Sequence, residues 1–538
     1  MSRTRPTGDA AYRDGTGTFH PAEQRIVPGS DLRGTTTIAV DACVVGAGAG
    51  GAVAAKELSE GGMRVALLEE GDWEDTATFT ARPREMTTRL YRDAGQVATV
   101  GRPPILLPVG RAVGGTTLIN SATCFRTPAP VLERWREELG LHELTESELE
   151  PWFRRVEREL NVVQVPPDLA GRNAAVVRRG VERLGWSGDF LYRNVRGCVG
   201  AGVCAFGCPS GAKQHTGITY VPKAWAAGAS TYTGARVEGV EVQGGAARAV
   251  TARTSGGGRL RVRCEHVVLA AGAIHTPLLL RRSGVGTASG WLGRNLSIHP
   301  CTAVKAIFEE RIDMWHGVPQ SYYCDEWAHE GFVLEGAAGP PDYIAASIPR
   351  SGPEHRALME RYPHMSQFGI MVCDVSRGSV RELAGRPQIR YDLDACDARA
   401  VRRGIEALCE IYWAAGAREV IVPVGRIPTL RNGETRPFGD APVRTGDLTL
   451  MAFHPLGTAR AGADPAASVV DGSGRVHGVS GVHVLDGAMV PSALGVNPQI
   501  TIMALATRAA FALLGAPAPD EPAPERMAVP RPATPVAA

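Results

Sequence analysis

Lysine is nearly absent from this sequence. Only four of its 58 basic residues are Lys (Lys56, Lys213, Lys223, Lys305), and in a chain rich in Ala, Gly and Arg this reads as a genomic base-composition bias. Excess charge is missing as well. The 58 basic and 56 acidic residues leave a formal +2, so nothing electrostatic calls for nucleic acid or an anionic membrane as a partner. Long apolar runs are also lacking: the most apolar stretches, 267–280 and 500–514, carry His275 and Pro277 or Arg508 and fall short of a spanning helix. The first 40 residues contain no apolar run of a secretory signal, which makes the cytoplasm the expected address. Eleven cysteines, an odd number scattered over a long chain, argue for reduced thiols and against a disulfide framework.

What is present points to a large α/β protein. A chain of 538 residues exceeds what one hydrophobic core usually organises, so two or more units are expected, interleaved along the sequence. Residues 1–38 read as a polar leader and 515–538 as a Pro/Ala-rich tail too poor in aliphatics to pack. Helical spacing dominates 130–185, strands broken by a glycine turn follow over 231–272, and 295–450 alternates strand-like and helical stretches.

The strongest local signal is DACVVGAGAGGAVAAKELSEGGMRVALLEEG at 41–71: strand, glycine turn, helix, strand. Gly46, Gly48 and Gly51 form G-x-G-x-x-G directly after the first strand. The first glycine permits the tight turn, the second admits a pyrophosphate, and the third lets helix and strand approach. The helix N-terminus then offers unpaired N–H groups and favourable partial charge to the phosphates. Glu69, closing the second strand, is placed to hold a ribose hydroxyl, with Glu70 as its neighbour. The fingerprint predicts a bound dinucleotide without separating NAD from FAD.

Further motifs make that separation. GRAVGGTTLINSATCFR at 110–126, HVVLAAGAIHTPLLLRRSGVG at 266–286, GRNLSIHP at 293–300, HPLGT at 454–458 and the long stretch 469–510 together resemble the glucose-methanol-choline (GMC) family of FAD-dependent oxidoreductases. Within it the chain is most similar to the cholesterol oxidase and long-chain alcohol oxidase branch. The resemblance spans 40–512 and is thinnest over 301–445. It implies a Rossmann-like FAD-binding domain with a parallel sheet (39–295 and 446–514, with a helical, Cys-rich insertion at about 125–225). A substrate-binding domain with an antiparallel sheet and helices would occupy 296–445. It also implies that Gly114 and Gly115 bring backbone flush against the isoalloxazine, and that Asn120 offers it a donor and an acceptor. Asp486 and Gly487 would lie near the ribityl chain and pyrophosphate. PPILLPVGR, ahead of the glycine loop, lacks the His that carries covalent flavin in some relatives, so dissociable FAD is expected.

His454 and Asn497 match the family's pair facing the flavin. Oxidising a carbinol requires loss of the hydroxyl proton and of a carbon-bound hydride, so His454 is expected as general base and Asn497 as the group aligning the alcohol oxygen. Pro498 opens a helix-like run where its missing N–H costs nothing, which would turn a positive helix end toward the flavin. His299 is given a structural role. Cys198, Cys204, Cys208 and Pro209 fit three-quarters of a ferredoxin-type run, but Ala201 stands where the fourth thiolate belongs, so no metal is expected. The reading is therefore oxidation of an apolar or bulky small-molecule alcohol, with oxygen or another electron acceptor. A lyase or cyclase that keeps FAD as structure and uses the same His is the alternative. Met314, Trp315, Tyr322, Tyr323, Trp327, Phe368 and Met371 are candidate pocket-lining residues, and no acidic helper can be picked out of 301–445.

Overall fold

The computed structural model describes residues 25–434, 438 and 444–521, together with two short paired strands, Tyr12–Arg13 and Phe19–His20. The rest of the stretch read as leader up to residue 24, and the tail from 522, lie outside the described residues. The fold is α/β, with one parallel sheet and separate antiparallel ones.

The parallel sheet has six strands, in the order Val482–Val484, His266–Leu269, Ala42–Val45, Val65–Leu68, Ser230–Thr233, Ile26–Pro28. Its central strands read ACVV and VALL and are buried at every position, as strands covered on both faces must be. The helix Ala49–Glu60 packs on those two strands and against the helix Gln499–Leu514, so the first and last helices of the unit are neighbours. Beside it, Ala235–Gln243, Ala246–Thr254 and Arg259–Arg263 form an antiparallel meander that Thr35–Ala39 extends in parallel.

The second large sheet has seven strands, all antiparallel: Leu430–Arg431, Glu419–Ile421, Cys301–Ile307, Met365–Val372, Phe332–Gly336, Tyr322–Cys324, Gly188–Phe190. The helix Ala395–Ala414 covers one face, so closely that a Cβ on Gly404 would come within 2.6 Å of Ile370. The other face is turned to a cavity. Because side chains alternate along a strand, Cys301, Ala303 and Lys305 share that face with Gln367, Gly369 and Met371 and with Glu335. The two largest hydrophobic clusters lie one around each large sheet, with two small ones beside them.

Three sequence expectations need correction. Part of the supposed leader is structured, since 26–28 and 35–39 are strands. The start of the supposed tail packs: Glu521 is buried and paired with Arg155 (3.0 Å) and Arg158. The 125–225 stretch is more than a helical insertion, for its strand Gly188–Phe190 is the edge of the seven-stranded sheet. Among the described residues no helix is long and apolar enough to cross a membrane.

Candidate active site

A cavity of about 1070 Å³ runs between the parallel sheet and the open face of the antiparallel one. At one end lies the glycine turn. Gly46 adopts φ 100°, and a Cβ there would sit 2.3 Å from the Ala270 carbonyl oxygen. Gly51 faces the strand, with a Cβ meeting the Gly46 carbonyl oxygen at 1.9 Å. Gly48 precedes the helix without a side-chain cap, leaving N–H groups of the first turn to the cavity. Glu69 is buried beside them, and its two carboxylate oxygens accept from the Ala47 and Gly71 N–H groups (2.9 Å each). Burial nevertheless raises its pKa. Glu69 thus braces the glycine turn as well as lining the cavity.

The loop 110–120 folds over this turn, and a Cβ on Gly115 (φ 50°) would lie 2.7 Å from Gly48 Cα. Lys213 holds the loop from behind: its Nζ donates to the Leu118, Asn120 and Cys204 carbonyls at 2.7, 2.8 and 2.7 Å. Asn120 lines the cavity, but its amide group is already engaged. Its Nδ2 donates to Gln499, and its Oδ1 accepts from Ala122 N–H (3.0 Å), so little of the expected donor and acceptor pair is left for a ligand edge. Gly114 does not line the cavity and serves the turn, at φ 111°. Gly46, Gly48, Glu69, Gly115, Asn120, His454, Asp486, Gly487, Asn497 and Pro498 all do line it; Gly51 does not.

Asp486 closes the floor by accepting from Gly272 N–H (2.8 Å), Thr276 Oγ1 (2.5 Å) and Ala488 N–H (2.7 Å), its pKa pushed up to about 6 by burial. The residue before it is pressed against Gly50, where a Cβ would come within 1.7 Å of the Leu485 carbonyl oxygen. Gly50→Ala is therefore expected to shift backbone at the cofactor cradle. We expect a loss of about 1–3 kcal/mol in stability, read as a lower Tm, with weakened flavin retention on gel filtration. Glycines where side chains would collide, free helix N–H groups and a cavity of this size fit the dinucleotide expected from the sequence.

The other end gathers buried titratable side chains. His454 and His299 meet edge to face, Nδ1 to Nδ1 at 3.2 Å. The remaining nitrogen of His299, Nε2, accepts from two backbone donors, Leu494 N–H (2.9 Å) and Gly495 N–H (3.1 Å). A neutral imidazole that accepts at Nε2 carries its proton on Nδ1. Burial, with Arg377 second, drops the His299 pKa to about 3, and burial also drops that of His454. Both rings are thus neutral near pH 7: His299 donates to Nδ1 of His454, and His454 carries its proton on Nε2, toward the cavity it lines. His299 has a backbone φ of 51°, uncommon for a side-chain-bearing residue. Buried Asp374 holds it there, accepting from the Ile298 and His299 N–H groups (3.1 and 3.0 Å) and from Tyr391 Oη (2.8 Å).

Asn497 is nine-tenths buried, and its Oδ1 lacks a partner among the described residues. Its amide faces Glu335, the acid that sequence reading missed. Glu335 accepts from Gln320 Nε2 (2.6 Å) through Oε2, while Oε1 has no partner among the described residues. Burial pushes its pKa up to about 7, opposed only by the Asn497 amide. The available signal was a lone acid in the apolar run FVLEG. Of the seven candidate lining residues only Met371 faces the cavity. Phe368 points to the helix-covered face, Trp315 stacks on Tyr362 (5.4 Å), and Trp327 packs between Trp186 and Arg403. Of the thiols in the Cys-rich segment, Cys204 accepts from Arg193 (3.1 Å) and Cys198 packs on the core, and among the described residues no three His, Cys, Asp or Glu converge on a metal position.

Comparison with known proteins agrees with this architecture. Residues 87–301 match the N-terminal part of the GMC oxidoreductase family and residues 374–506 its C-terminal part. An uncharacterized GMC-type oxidoreductase of Mycobacterium tuberculosis is 40% identical over 90% of this chain and 77% of its own length. A long-chain-alcohol oxidase of Arabidopsis thaliana is 27% identical over 87% of this chain and 66% of its own. Among solved structures, pyridoxine 4-oxidase from Mesorbium loti superposes with a TM-score of 0.69 at 20% identity, covering 88% of this chain and 98% of that one. Formate oxidase gives a TM-score of 0.71 at 16% identity over the same shares. The chain belongs to the GMC oxidoreductase family.

Proposed function

We propose that this protein binds FAD non-covalently along the cavity and oxidises an alcohol to a carbonyl compound. The observation that carries the reading is the convergence of the glycine cradle with His454, Asn497 and Glu335 on one cavity. The units read from the sequence remain our division, 39–295 with 446–514 for the cofactor and 296–445 for the substrate, with strand 26–28 added to the first and strand 188–190 to the second. Gly46, Gly48 and the 49–60 helix N-terminus would hold the pyrophosphate, Glu69 the ribose, and Asp486, Gly487 and the N-terminal end of the 499–514 helix the flavin half. When bound, FAD supplies the hydride acceptor.

The chain's residues divide the remaining work. The sequence made His454 the general base, yet its Nε2 carries a hydrogen in the resting tautomer, so we assign it as the donor that holds the alcohol oxygen. Glu335, with a carboxyl pKa near working pH and one free oxygen, is then the group suited to take the hydroxyl proton. Asn497 bridges them, its amide toward Glu335 and its Oδ1 free. The small and apolar lining at Ala303, Ala337 and Met371 favours an apolar or bulky carbon skeleton.

The test is anaerobic mixing of the flavin-loaded protein with long-chain, sterol, aryl and sugar alcohols while following the oxidised flavin band. Bleaching by one class is the expected outcome. Substrate consumption with the band unchanged would instead support lyase or cyclase chemistry with a structural flavin.

A further inference from the structure

The four lysines of this arginine-rich chain occupy contrasting settings. Lys56 is buried and surrounded by Glu57, Glu60 and Glu159 at 3.1, 3.0 and 3.7 Å. Lys213 is buried and gives its three protons to three carbonyls. Lys223 is half exposed and pairs with Glu159. Lys305 is 2% exposed, yet among the described residues its Nζ has a single hydrogen bond, to the Ser347 carbonyl at 3.0 Å. Among the described residues no carboxylate lies near enough to perturb it: burial alone brings its pKa down to about 7. When protonated, the amine holds three protons, and the Ser347 carbonyl takes one of them beside a cavity that Lys305 lines.

Strand register fixes where this cation stands relative to the chemistry. Glu335 pairs with Gly369 and Gly369 with Ala303, while Lys305 pairs with Gln367. Lys305 and Glu335 therefore lie on the same sheet face, two strands and two residues apart, about 12 Å between Cα positions. Between them the floor is Ala303, Gly369 and Ala337, all small, bordered by Gln367, whose Nε2 donates to the Ala337 carbonyl at 2.6 Å. A Cβ on Gly369 would already approach that of Ala337 to 3.3 Å. The surface is a shallow trough with a proton acceptor at one end and an incompletely bonded cation at the other.

Resting on the alcohol-oxidation reading, we infer that Lys305 is the counter-ion for a carboxylate at the far end of the substrate, which makes the substrate a hydroxy acid. The hydroxyl lies by His454 and Glu335, the carbon chain crosses the Ala303–Gly369–Ala337 floor, and the carboxylate meets Lys305. A buried cation without a partner is costly, and an anion arriving with the substrate supplies the missing charge. The Ser347 bond alone would make Lys305 a prop for the neighbouring turn, a role that predicts no preference among ligands.

The experiment compares octanoate with octanamide in calorimetric titrations of the FAD-loaded wild-type protein, and ω-hydroxy acids with n-alkanols in anaerobic flavin reduction. Octanoate is expected to bind about 30-fold or more tightly than octanamide, and Lys305→Met to abolish that ratio. Hydroxy acids are expected to exceed alkanols in kcat/KM, with a maximum at one chain length. Equal binding of octanoate and octanamide by the wild-type protein overturns the assignment, whatever the variant does. Bleaching by alkanols without preference for hydroxy acids also overturns it while leaving alcohol oxidation standing. Lys305-dependent octanoate binding with no bleaching by any alcohol keeps the anion site and overturns the oxidase reading.

Discussion

Glu335→Gln is expected to lose about 10²- to 10⁴-fold in kcat, the usual contribution of a positioned base, with flavin content retained. Gln keeps the shape and the bond partner Gln320 but cannot accept a proton. The pH profile is the sharper readout. With its pKa at about 7, wild-type Glu335 is competent only when ionised, so kcat/KM should rise with pH through that region and level off above it. The step should vanish in the variant. Stability should move the opposite way. A folded-state pKa raised above the unfolded value means that the native protein keeps a proton the unfolded chain has released, so stability falls as pH rises between those two values. From about 4.5 to about 7 the loss is roughly 3 kcal/mol, and Glu335→Gln, which never carries the buried charge, should melt higher than wild type at pH 8. A variant that retains wild-type kcat and the same pH step would remove Glu335 from the reaction.

The second large effect separates donor from base at His454. If the Leu494 and Gly495 N–H groups fix the tautomers through His299, His454 contributes a hydrogen-bond donor. Its loss in His454→Ala should then cost about 10²- to 10³-fold in kcat. Gln at this position can present a side-chain N–H and should recover at least about tenfold of that loss. A base cannot be replaced by an amide, so equal inactivity of the Ala and Gln variants would return the proton-accepting role to His454. A solvent-exchange NMR spectrum of the wild-type imidazole protons offers an independent check: the present geometry expects His299 protonated on Nδ1 and His454 on Nε2.

The cofactor end was legible in the sequence because its parts are local. The glycine spacing at 46–51 and the acid ending the next strand lie within one βαβ unit, where each residue's neighbours are set by the turn itself. The end proposed as the reacting one was only half legible. His454 and Asn497 stood inside recognisable motifs, but Glu335 and Lys305 matter through strand register. Their facing depends on pairing between 301–307, 332–336 and 365–372, segments that carry no shared motif. The same cause misplaced Phe368 in the pocket, since composition alone does not say which face of a strand a side chain takes. The role of His299 was hidden more deeply, in a left-handed backbone angle and two amide groups distant in sequence.

The adjacency of the first and last helices bears on how the molecule is made. The 49–60 helix leaves the ribosome long before the 499–514 helix for which its buried face is built, and the edge strand Val482–Val484 of the same sheet also follows it at great distance along the chain. Until those segments arrive, the fingerprint unit stays incomplete and its apolar surface uncovered. Assembly must therefore be dominated by late, long-range docking, slow by the usual dependence on contact separation and exposed to aggregation meanwhile. Flavin capture, which needs the cradle and the 486–499 segment together, would mark the end of that process.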